Sequence, residues 1–200
     1  MPEMKTKKHL PALLGAIMLA LCASASAQTF SGSITLSDPT ENGRLFRDGV
    51  PSMAGMMKPF PGISGLGTPF HYDAYTFTNP FAVSTAFTIT LTTNTVGVFP
   101  FSVVYLGSFD PNNIATNYLA DAGFSADAGA PAEYSFDIPA GATFVAIVNE
   151  VTAGAGVADY SFTVTPSTIP EPSTVVELFA GAALLGVFAW RRHSRATRAS

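Results

Sequence analysis

The 200-residue sequence has one cysteine, one tryptophan and three histidines, and only 12% of its residues are charged. That charged share is about half the roughly 25% of an average globular chain. Each shortage excludes something. No cysteine follows Cys22, so the rest of the chain holds together without disulfides, as a domain of well over about 100 residues can. Residues 28–170 carry three basic residues, Arg44, Arg47 and Lys58, against eleven acidic ones. Phosphate binding needs clustered cations, so nucleic acid is excluded as a partner. The same interval has a single histidine, His71, through which any His-rich metal site or His-paired nucleophile would have to run. Gly62-Ile63-Ser64-Gly65-Leu66 lacks the closing glycine of a nucleophile elbow. No helical period of useful length appears between Gln28 and Pro170.

What the chain does have is two strongly marked ends. The formal net charge of −4 averages unlike regions, because Lys5, Lys7, Lys8, Arg191, Arg192, Arg195 and Arg198 are all terminal. Residues 1–27 run from a basic stretch through the apolar Leu10–Cys22 to Ala23-Ser24-Ala25-Ser26-Ala27. That order reads as a secretory signal peptide, cut by signal peptidase between Ala27 and Gln28. A permanent anchor is the alternative, and the apolar run is short for one. A lipoprotein site at Cys22 is disfavoured by Leu21, where Gly, Ala or Ser belongs.

At the other end stand Pro170-Glu171-Pro172-Ser173-Thr174, an apolar run Val175–Trp190 and the basic stop Arg191-Arg192. Prolines keep the first part extended and accessible. As a helix the 16 apolar-run residues would span ~24 Å, short of a hydrocarbon core of ~30 Å. Glu177 shortens the uncharged part further. The cations hold the far end on the cytoplasmic side. A marginal span of this kind suits a transient handle. The three-part tail resembles the PEP-CTERM sorting signal. That resemblance implies recognition of Pro170, Glu171 and Pro172 by exosortase, a membrane-embedded enzyme of bacteria that make extracellular polysaccharide, and removal of the tail. Glu177 and the eight residues after Arg192 depart from the commonest pattern. An ordinary single-pass anchor through the C-terminal helix is the alternative.

Between the ends the pattern has period two. Phe87-Thr88-Ile89-Thr90-Leu91-Thr92 alternates apolar residues with Thr, as a strand with one buried face does. Ile34–Leu36, Tyr75–Phe77, Tyr134–Ile138 and Tyr160–Val164 alternate similarly. Phe101–Leu106 and Phe144–Val148 are continuously apolar and predict central strands. An eighth strand is a candidate around Ala115–Leu119. Turn signals such as Asp110-Pro111-Asn112-Asn113 and Pro139-Ala140-Gly141 separate the runs. Residues 44–70, rich in Gly and Pro and containing Met53, Met56 and Met57, predict a long surface loop between sheets. A loop of that length can carry function.

The expected architecture is therefore an all-β, antiparallel β-sandwich of about seven or eight strands over residues 28–165. A signal-peptide helix would precede it and a sorting tail with a hydrophobic helix, 166–200, would follow. A closed barrel is the alternative. Tyr72–Phe77, Tyr105–Pro111, Ile138–Val145 and Tyr160–Val164 together resemble the secreted bacterial sandwiches related to the pre-peptidase C-terminal domain. The resemblance implies a jelly-roll-like fold in an accessory module, with no catalytic residues to carry over.

Candidate chemistry inside the domain is sparse. His71 and Asp73 share a strand face, but local hydrogen bonding of the histidine is the simpler reading. Most carboxylates fall in turns, where Asp caps belong. Asp38, Glu41 and Asn42, and again Asp110, Asn112 and Asn113, offer hard oxygens for calcium, without EF-hand spacing. Tyr72, Tyr75, Tyr105, Tyr118 and Tyr134 could stack a sugar, or could simply pack. The reading is an exported, non-enzymatic protein of the cell envelope or extracellular matrix, without a cofactor, with extracellular polysaccharide as its candidate macromolecular partner. The alternative is a carbohydrate- or calcium-dependent binding and adhesion module.

Overall fold

Alternation becomes strand wherever one face finds cover. Thr85–Thr92 buries Thr85, Phe87, Ile89 and Leu91, and leaves Ala86, Thr88, Thr90 and Thr92 half-exposed on its other face. The computed structural model describes residues 26–167. They form β1 (Gln28–Ile34), β2 (Thr40–Leu45), β3 (Ile63–Thr78), β4 (Thr85–Thr92), β5 (Phe101–Leu106), β6 (Tyr118–Asp121), β7 (Ala132–Ile138), β8 (Thr143–Asn149) and β9 (Val157–Pro166). Two sheets result, ordered β1-β9-β4-β7 and β2-β3-β8-β5-β6, and every strand pair is antiparallel. The terminal helices expected at 1–27 and 166–200 fall, apart from residues 26, 27, 166 and 167, outside the described residues.

The sheets meet through an aromatic seam. Phe30, Phe87, Phe136 and Phe162 from the first sheet face Tyr75, Phe77 and Phe144 from the second, with Phe87 and Phe144 centroids 5.2 Å apart and Phe30 and Tyr75 5.3 Å apart. Offset and edge contacts of this kind add to the area buried. Strand alternation then turns hydroxyls outward on the first sheet. Thr29, Thr163, Thr90 and Glu133 stand in one cross-strand row. In the second sheet β5 and β8 are apolar on both faces: Phe101, Val103, Tyr105 and Ile147 are buried on its outer side. Loop residues cover them, Phe109 lying 4.7 Å from Tyr105 and 5.1 Å from Tyr72. That second layer explains why Phe101–Leu106 and Phe144–Val148 are continuously apolar. β8 is the middle strand of its sheet and β5 adjoins it.

Four expectations need correction. The described residues form nine strands, because β2 pairs with β3 although Thr40-Glu41-Asn42-Gly43-Arg44-Leu45 shows almost no apolar alternation. The first strand is Gln28–Ile34, not Ile34–Leu36; Asp38 accepts hydrogen bonds from Thr35 N at 2.6 Å and from its hydroxyl, which turns the chain there. The presumed loop 44–70 is shorter, 46–62, because β3 reaches back to Ile63. Gly65 and Gly67, at φ +67° and +88°, bend that extension. Pro69 is tolerated because β3 is paired there with β2 alone, β8 pairing beginning only at Tyr72. The strand expected around Ala115–Leu119 is β6, at Tyr118–Asp121, slightly beyond its expected place.

Candidate functional site

Most of the carboxylates do not fall in turns as expected: Glu41, Asp73, Asp121, Glu133, Asp137 and Asp159 are strand residues, and Glu41, Asp121 and, just past β8, Glu150 are each 3% exposed or less. A buried charge needs partners. Glu150, just past β8, accepts from His71 N at 2.9 Å, His71 Nδ1 at 2.8 Å, Gly154 N at 2.9 Å and Gly156 N at 2.6 Å. Burial pushes its pKa up, but these hydrogen bonds outweigh it and hold the carboxyl below its usual range. The partner of His71 is thus 79 residues away, not local as the sequence suggested. Asp73 instead accepts from the Tyr160 hydroxyl, which lies 2.6 Å from that of Tyr75.

Glu41 is the opposite case. Burial raises its pKa to about 8, against the opposing pull of Arg44 and Asn149. Arg44 itself donates to Val151 O at 3.1 Å and to Leu45 O at 3.0 Å. Asn149 is fully buried, and its Oδ1 has no hydrogen-bond partner among the described residues.

Asp121 anchors the segment 46–62. It accepts from Lys58 Nζ at 2.8 Å, from Gly123 N at 2.6 Å and from the Tyr118 hydroxyl. Lys58 also reaches Asp48 at 2.8 Å and Val50 O at 2.5 Å. Ser52 ties this segment to both sheets. Its N donates to Asp121 O on β6 at 3.0 Å, and its O accepts from Ser135 N on β7, also at 3.0 Å. Its hydroxyl accepts from Asp121 N at 3.0 Å. Gly55 N donates to Asp137 at 2.5 Å. The segment is a strap across the side of the sandwich where β6 and β7 are the last strands. Sequence reasoning flagged its methionines and missed its lock. Lys58, one of only three cations in the interval, was the available signal.

The strap also presents apolar surface. Met53, Met56 and Met57 are 59%, 70% and 97% exposed, and with Val50, Pro51 and Pro59 they line a hollow of about 220 Å³. Methionine adapts to irregular apolar partners.

The other candidates separate. Asp38 caps its own turn, Glu41 is buried on β2, and Asn42 Oδ1 accepts from Gly67 N at 2.8 Å, so the three do not converge. Asp110 Oδ1 accepts from Asn112 N at 2.9 Å in the turn that also holds Asn113. Among the described residues no group of three or more His, Cys, Asp or Glu is placed to hold a metal ion. Tyr105 and Tyr134 are buried, whereas Tyr72, Tyr75 and Tyr118 are half-buried packing partners. Ala27 is exposed and Gln28 opens β1. Pro170, Glu171, Pro172, Arg191 and Arg192 lie outside the described residues.

No protein-family model matches this chain, and no curated protein matches it. Among solved structures it is similar to the CBM35 from Cellvibrio japonicus Abf62, at 12% identity over 72% of this chain and 95% of that one, TM-score 0.32. It is also similar to a family 35 carbohydrate binding module from an environmental isolate, at 14% identity over 70% and 99% of the two chains, TM-score 0.29. The infectious bursal disease virus VP2 subviral particle gives 15% identity over 78% of this chain and 36% of that one, TM-score 0.28. Likeness of that degree carries no argument about ligand or role.

Proposed function

We propose that this chain is an exported, non-enzymatic protein of the cell envelope or extracellular matrix. The signal peptide at 1–27 delivers it, and Pro170, Glu171 and Pro172 submit its tail to exosortase. One observation carries the reading: the folded domain fills the interval between the two labels. β1 begins at Gln28, the first residue after the expected cut, and β9 ends at Pro166, just ahead of Pro170. Gln28 stands opposite Val164, so both labels leave from one end of the sandwich, and either can hold it at a membrane. The orders β1-β9-β4-β7 and β3-β8-β5-β6, with β2 added at an edge, support a jelly-roll-like reading of the sandwich. The buried carboxylates Glu41, Asp121 and Glu150 serve packing and strap, which favours a structural role over catalysis. Glu171→Ala tests the sorting directly. The variant keeps the mass of its tail and stays in the membrane fraction; unchanged mass and location relative to the parent chain would sink the claim.

The second reading is a carbohydrate- or calcium-dependent binding module. Phe46, Phe99 and Phe124, each 41–50% exposed, project from loops at the end opposite the two labels. Glycan-array binding that is lost in the Phe124→Ala variant supports it, and calorimetry without heat for sugars or calcium ends it.

A further inference from the structure

The two sheets have four edge strands: β1, β7, β2 and β6. Three are covered from within. The strap occupies β6 and β7 through Ser52, and Asn42 N on β2 donates to Pro111 O at 2.8 Å. β1 differs. Among the described residues, Gln28–Ile34 makes backbone pairs with β9 alone, so its other row of N–H and C=O groups is unsatisfied by protein. Natural sheets blunt such an edge with charge, proline or cover, and Gln28-Thr29-Phe30-Ser31-Gly32-Ser33-Ile34 has neither charge nor proline.

We propose that β1 is a pairing edge for a second copy of this chain, joined antiparallel about a two-fold axis at Ser31. Charge selects the occupant. Residues 28–170 carry eleven acidic and three basic residues, so most contacts between copies set like charges together. β1 carries none, and its outward neighbours across the ladder are Ser161 and Thr163. A two-fold pairing that uses the whole strand sets Ser31 against its own copy, Thr29 against Ser33 and Phe30 against Gly32. Gly32 has to be bare, because a Cβ there would lie 2.4 Å from the Tyr160 hydroxyl. The pairing is isologous and closes at two copies. It also sets the two C-terminal tails at opposite ends of the dimer, an arrangement suited to chains already freed from the membrane. The chain's own segment beyond β9 is a poor occupant, since Pro170 and Pro172 have no N–H to give a ladder.

Sedimentation velocity of the full chain in mild detergent, across a dilution series, tests this without depending on sorting. The parent chain passes from monomer to dimer as concentration rises. Ser31→Lys and Ser31→Glu each weaken association severalfold by placing like charges opposite each other, and an equimolar mixture of the two restores it. Restoration shows that both variants are folded. A parent chain that stays monomeric throughout, single variants that dimerise like the parent, or a mixture no better than its components would each overturn the proposal.

Discussion

The two narrow sides of this sandwich are built on opposite plans. On one, β6 and β7 are bridged by a segment whose Ser52 bonds to both and whose Lys58 is locked by Asp121 and Asp48. On the other, β1 ends its sheet with only β9 beside it among the described residues. The lesson is that a cysteine-free domain can close a side with a buried ion pair and backbone bonds. Such a closure fails when one partner is removed, because the other charge stays buried without it. The open side owes its stability to packing behind the strand, so it tolerates change on its outer face.

The largest expected effect breaks the closed side. Asp121→Ala leaves Lys58 buried with one carboxylate fewer, and should lower unfolding free energy by about 3–5 kcal/mol, read from denaturant midpoints. If the midpoint hardly moves, the strap is not what closes that side.

Next comes the acid on β2, the edge held by Pro111. Glu41 has a pKa raised on folding, from 4.5 to about 8. The folded state therefore keeps its proton where the unfolded chain has lost it. Its contribution is full below about pH 4.5 and declines as pH rises toward about 8, each unit weighing about 1.4 kcal/mol. Melting followed between pH 5 and 9 should show this slope, and Glu41→Gln should flatten it. Equal slopes in both proteins would mean that another group titrates.

A smaller loss is expected behind the open edge. Gly32→Ala pushes a methyl group against Tyr160 and should cost about 1–3 kcal/mol as overpacking does. Smallest of all, Ser31→Lys faces solvent and should change monomer stability by no more than about 0.5 kcal/mol, while altering association. A large loss from Ser31→Lys would erase the difference between the two sides.

Much of the sheet framework was legible in the residues. Phe87–Thr92 alternates because one face of β4 meets the aromatic seam, and Phe144–Val148 is uniformly apolar because β8 is covered twice. β2 was not legible: its buried positions are Glu41, Gly43 and Leu45, and the groups that act on Glu41 include Asn149, 108 positions further along. The strap was visible as composition, through its prolines, glycines and methionines, but its function as a closure was not. Ser52 gains meaning only beside Asp121 and Ser135, which lie 69 and 83 positions further along. His71 was singled out correctly as the lone histidine of the interval, yet its partner Glu150 sits in a turn-like segment that nothing local connects to it. Long-range polar pairs leave no period in a sequence, whereas faces of strands do.

The contrast between the two sides is tested most directly by residue-level amide hydrogen exchange at two protein concentrations. Ser135 on β7 and Asp121 on β6, whose amides the strap receives, should exchange slowly at both. The β1 amides that point away from β9 should exchange quickly in dilute solution and slow on concentration, as a second copy pairs with them. Slow exchange along all of β1 at the lowest concentration, or exchange there that ignores concentration, would contradict an edge left open for a partner strand.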